Sequence, residues 1–142
     1  MNLLNAIKEY QNIFLPDLNW SKAYYAILNL FDAIQKAALA LTPNENEKLI
    51  MNSHQRRIGK KKCKLASDEL ILHRKEIIDF KLFDEFFSIT EIVRKKIFDL
   101  GALWSYDTAL RIGFKANIYP KEVNVQCGVI KGVRKAIPNT EF

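Results

Sequence analysis

No run of this chain is apolar for the ~18 residues that a membrane-crossing helix needs, so no bilayer span and no membrane partner are expected. Cysteine is scarce: Cys63 and Cys127 stand alone, far apart, with no CxxC spacing. That excludes a disulfide-built fold and the usual zinc frameworks, and both residues read as ordinary thiols. His54 and His73 are equally isolated, so both imidazoles read as solvent-facing and neither a metal site nor a cofactor is expected. A P-loop, an HExxH and a GxSxG are also missing. The first residues lack the basic stretch, apolar core and small-residue cleavage site of a secretory signal, since Lys8 and Glu9 interrupt them, which makes a cytoplasmic location the expectation.

What is present is a chain of 142 residues, 49% hydrophobic, enough for one core and short for two. The reading is a single, mainly all-α domain over 1–142. Leu3, Leu4, Ile7, Tyr10 and Phe14 recur at helical spacing, and Pro16 is expected to end that first helix. Ser21 is then expected to cap a second, central helix to about Leu41, whose stripe is Tyr24, Ile27, Leu28, Phe31, Ile34 and Ala38. Ala33, Ala37 and Ala40 within it permit close approach of neighbours. Pro43, followed by Glu45 and Glu47, predicts the start of a third helix. Ser67 predicts the start of a fourth and Thr90 of the next, with Gly101 closing the latter and Ser105 capping a helix from Tyr106 to about Phe114. Gly113 is expected to loosen the end of that helix. After Pro120, Val123 and Val125 alternate with polar residues as a short strand would, while Pro120 equally suits a helix start, so both readings stand.

Charge is unevenly distributed. There are 22 Lys and Arg against 16 acids, a net charge of +6, and Arg56, Arg57, Lys60, Lys61, Lys62 and Lys64 lie within ten residues containing no acid. Arg111, Lys115, Lys121, Lys131, Arg134 and Lys135 form a second basic pole, with Glu122 among them. Two cationic poles flanking an acidic middle fit a surface for phosphates. A solvated, solubilising charge run is the plainer alternative. Whether the first run is a helix end, a loop or an arm is open at this level.

Residues 99–136 hold four of the five glycines and set the functional expectation. Leu100, Gly101, then Thr108, Ala109 and Ile112, followed after Pro120 by Val123, Val125 and a glycine-broken basic helix, resemble the helix-hairpin-helix family of DNA-binding modules. The resemblance implies a hairpin whose backbone amides meet a phosphate. Leu103, Trp104 and Ser105 stand where that family continues its glycine turn, and no catalytic residue carries over. The expected function is therefore non-catalytic nucleic-acid binding, with Gly101 and Ser105 offering helix-start amides beside the two basic poles. Two alternatives accompany it. One is a small regulator that docks on a protein, using Trp104, Tyr106 and Tyr119 and turning its lysines to an acidic surface. The other is an enzyme built on Tyr106, Asp107 and Arg111, where an Asp and an Arg four residues apart are more often an ion pair.

Overall fold

The computed structural model describes residues 2–122, together with 135, 138 and 139. The expected strand at Val123 to Val125, and Lys131 and Arg134, lie outside the described residues. The fold is mainly α. In chain order come α1 (Leu3–Ile27), α2 (Leu30–Ala38), an antiparallel hairpin of β1 (Leu41–Pro43) and β2 (Leu49–Met51), and a 3-10 turn at Ser53–Gln55. Then follow α3 (Lys60–Ile71), α4 (Arg74–Ile77), α5 (Phe83–Lys96) and α6 (Ala102–Ala116).

Several expected boundaries move, each for a local reason. The first helix runs straight through Pro16 and Ser21 to Ile27. Pro16 sits on an exposed stretch of α1, where the carbonyl its ring leaves unpaired is free to meet water. The real break is at Leu28, which is extended, and Asn29 caps α2 by accepting from the Asp32 amide at 2.8 Å. This break splits the expected central stripe: Ile34 and Ala38 are buried, but Ile27 and Phe31 face solvent.

No helix starts at Pro43. Thr42 and Ile50 pair across the hairpin instead, and the Asn44 side chain accepts from the amides of Asn46 and Lys48, closing a turn in which Glu47 is left-handed. Asparagine turn chemistry outweighs the proline-start signal. Ser67 and Thr90, expected as caps, are buried inside α3 and α5. The Thr90 hydroxyl donates to the carbonyls of Phe87 at 3.0 Å and Ser105 at 2.8 Å, joining α5 to α6. Glu85 does the capping of α5, accepting from the amides of Lys81 and Leu82. His73 is not alone either, its Nδ1 lying 3.1 Å from the Glu76 carboxylate.

The core gathers Tyr25, the alanine face of α2, Cys63, Ala66 and Leu70 from α3, Phe86, Ile89 and Val93 from α5, and Trp104, Ala109 and Ile112 from α6. Burial pushes the Cys63 thiol up despite the nearby Arg111 charge, in keeping with a packed, unreactive cysteine. The expectation for Ala33 and Ala37 holds in a specific way, since the small residues of α2 let long side chains of α6 reach its backbone. The Trp104 indole donates to the Ala38 carbonyl at 2.9 Å and an Arg111 Nη to the Ala37 carbonyl at 3.4 Å. Both acceptors are in the last turn of α2, where a cation is favoured, and the Ala37 carbonyl also accepts from the Ala40 amide at 3.1 Å.

Gly113 does not loosen α6. Asn117 turns left-handed just after the helix and the Ile118 amide returns to the Gly113 carbonyl at 2.9 Å, so the Ile118 carbonyl oxygen lies against the Gly113 Cα. A methyl there meets that backbone oxygen, which cannot rotate away. Gly113→Ala is expected to lower stability by about 1–3 kcal/mol in chemical denaturation. An unchanged midpoint would show that the turn yields freely.

Candidate polyanion interface

The first basic run is neither loop nor arm where it matters: its lysines form the opening turns of α3. Gly59 precedes them with φ 89 and ψ 150, a conformation costly for any residue with a Cβ, and it offers no side chain to cap the helix. The first turn therefore presents backbone amides that no side chain caps, and Lys60, Lys61 and Lys62 occupy that same turn with no acid among them. Each cation at this positive end of the helix dipole costs about 0.3–1 kcal/mol at an exposed site. The sequence thus builds a local surplus of positive charge that an anion relieves.

Arg56 and Arg57 are exposed in the turn leading into Gly59. Arg56 is anchored through Nε to the Met51 carbonyl at 3.3 Å, which ties it to the hairpin. Among the described residues, neither arginine nor Lys60 nor Lys61 forms an ion pair with a carboxylate. Lys64 is different, being paired with Asp68 one turn later. Lys62 Nζ reaches 3.4 Å from Asp99 and lies 5.9 Å from the Phe98 ring centroid.

That last contact connects the run to the glycine bend. Gly101 starts α6 with φ 86 and ψ 152, nearly the same backbone as Gly59, and again no side chain caps the helix. Gly101 does not close α5, which ends at Lys96. Because Lys62 is in the first turn of α3 and Asp99 is two residues before Gly101, both uncapped helix starts lie at the same end of the fold. Asp99 itself, left-handed at φ 61 and exposed, was not singled out from the sequence, and it places a carboxylate where the phosphate nest was expected.

The remaining expected contacts divide. Ser105 is not a cap: it is buried within α6, donating to Glu91 at 2.6 Å and to the Ala102 carbonyl at 2.9 Å. Burial pushes the Glu91 carboxyl up, but hydrogen bonds from Arg94 and Ser105 and the charges of Arg94 and Lys95 outweigh it and hold it below its usual range. Arg111 is 5% exposed and out of reach of a phosphate in solution. Its Nη2 donates to the Gln55 Oε1 at 3.0 Å, and the Gln55 amide nitrogen donates to Asp107 at 2.8 Å. Asp107 and Arg111 are thus joined through a buried glutamine rather than directly, and this triad packs the 3-10 turn onto α6. No sequence spacing announces Gln55, which comes from 52 residues earlier in the chain than Asp107.

Lys115 lies at the opposite end of α6 from Gly101, roughly 20 Å away at 1.5 Å per residue, and donates to the Ala26 carbonyl of α1 at 3.1 Å. Lys121 follows it there, exposed, and Lys135 is exposed as well. The second pole therefore does not join the first through Lys115 and Lys121. Of the aromatic residues expected to dock a protein, Trp104 is fully buried. Tyr106 packs edge-on against Phe83 and Phe87, and Tyr119 lies under Lys22 at 4.9 Å. These two line an open cavity of about 470 Å³ between α5 and the segment after α6. No family model matches the chain, and neither a curated protein nor a solved structure matches it.

Proposed function

We propose that this chain is a non-catalytic binder of polyanions, the phosphate backbone of nucleic acid foremost, and that it binds through the start of α3. One observation carries the reading: Arg56, Arg57, Lys60 and Lys61 are exposed and free of carboxylate partners among the described residues, around a helix start that no side chain caps. Amides and the helix dipole favour an anion at such an end, and the flanking cations add counterion release. These contacts position a backbone without reading its sequence, so discrimination between duplexes of equal length is expected to be weak.

In this reading the described part of the helix-hairpin-helix resemblance of 99–136, the turn at Gly101 and α6, lies beside the α3 site as a second place for the same strand. Asp99 opposes it. Asp99→Asn removes a carboxylate from the site and releases Lys62, so affinity for a generic duplex is expected to rise several-fold at low salt. Fluorescence anisotropy with duplex and single-stranded oligonucleotides across a salt series tests the proposal. Four neutralised phosphates give a log–log slope of about −3.6 on duplex. Absence of binding at low salt, with an acidic protein captured instead, replaces nucleic acid by a protein partner.

A further inference from the structure

The first two thirds of α1 stand away from the core. From Leu3 to Asn19 every side chain described is exposed, and α1 joins the core further along, through residues such as Tyr25. Yet Leu3, Leu4, Ile7, Leu15 and Leu18, between 38% and 60% exposed, fall within about a third of the helix circumference at 3.6 residues per turn. Asn5, Lys8, Glu9, Asn12 and Asn19 occupy the other side, with Ile13 as its apolar exception. Such a stripe is the form of a helix that packs against another helix.

The order of residues along the stripe identifies the other helix. Within the stripe, Leu4, Ile7, Gln11, Leu15 and Leu18 are spaced symmetrically about Gln11, with Ile7 and Leu15 four residues to either side and Leu4 and Leu18 seven, while Leu3, at its end, mirrors Asn19 and stands outside the symmetry. A palindromic stripe is complementary to itself when two copies run antiparallel about a two-fold axis. Leu4 then meets Leu18, Ile7 meets Leu15, and Gln11 meets Gln11, whose amide is both donor and acceptor and so satisfies its own kind. The same register sets Lys8, Glu9 and Asp17 opposite uncharged residues of the second copy. A lipid surface fits less well, since interfacial helices carry several lysines or arginines on their polar face and this stretch carries only Lys8.

We infer that α1 is a homodimerisation helix, pairing antiparallel with a second copy of this chain about a two-fold axis at Gln11. The contact extends over ~24 Å of helix and buries on the order of 1,000 Å² in total, the lower limit for a specific interface, which makes the dimer concentration-dependent. One polar pair at the centre of an apolar seam fixes register and orientation.

Sedimentation equilibrium of the full chain is expected to show a monomer–dimer equilibrium that Ile7→Glu and Leu15→Glu each weaken at least tenfold. Asn12→Glu, on the polar side, is expected to leave it unchanged. The positions are exposed, so thermal unfolding followed by circular dichroism checks that each variant stays folded. Orientation is read by oxidation against the parent chain with its own two cysteines: Gln11→Cys is expected to cross-link with itself, whereas Leu4→Cys and Leu18→Cys cross-link only when mixed. A chain that stays monomeric at its highest soluble concentration overturns the inference. So does a dimer indifferent to Ile7→Glu, self-linkage of Leu4→Cys, or monomers that partition onto anionic vesicles through α1.

Discussion

Replacing Arg56, Arg57, Lys60 and Lys61 together by alanine is expected to cut affinity for a generic duplex at low salt by roughly two orders of magnitude, with the salt slope reduced by about 3.6. Stability is expected to move the other way. The four side chains are exposed and none is paired with a carboxylate among the described residues, so their loss opens no cavity. Removing Lys60 and Lys61 from the positive end of α3 also relieves about 0.3–1 kcal/mol each. Weaker binding together with an equal or higher melting temperature is a signature that general damage cannot produce. If the lysines served only solubility, the variant would bind as the parent does and aggregate sooner. The pair Lys115→Ala and Lys121→Ala supplies the control, because these residues lie at the far end of α6 and are expected to change affinity by no more than a few-fold.

Gln55→Leu carries the largest expected effect on stability. Gln55 is fully buried and holds Arg111 with one end of its amide and Asp107 with the other. Without it, the guanidinium keeps the Ala37 carbonyl at 3.4 Å as its remaining acceptor among the described residues, and its charge stays in the core. Leaving a buried charge without its hydrogen-bonding partner costs about 3 kcal/mol or more, to be read as a lower denaturation midpoint. Arg111→Met added to Gln55→Leu removes the stranded charge and is expected to recover part of the loss. That recovery distinguishes an electrostatic cause from poor packing of leucine. Because Gln55 directly precedes Arg56, the single variant should also loosen the basic run from the core and weaken polyanion binding, whereas a stability-neutral Gln55→Leu would remove the triad from the account.

How much of this was legible in the sequence differs by the range of the signal. Helical periodicity identified the mainly α class, the inward residues Ile34 and Ala38, and the close approach permitted by Ala37. Boundaries were less legible, because Ser21, Ser67, Thr90 and Ser105 look like caps to a local reading while the packed helices place three of these hydroxyls inside. Pro16 read as a stop, but on the exposed part of α1 the freed carbonyl is open to water and the helix continues. The site shows the same division. The cations of 56–64 were plain in the composition, and glycine directly before a lysine run was a usable signal for an uncapped helix start at Gly59. The involvement of Asp99 and the burial of Arg111 were not, since each depends on a partner far away in the chain, Lys62 for one and Gln55 for the other.

The most direct measurement is an amide nitrogen–proton correlation spectrum recorded while a short generic duplex is added at low salt. The backbone amides of Lys60, Lys61 and Lys62 are expected to shift first and furthest, joined by those following Gly101, and to return as salt is raised. Shifts confined to the far end of α6 around Lys115 and Lys121, or no shifts in the first turn of α3 at saturating duplex, would contradict the account.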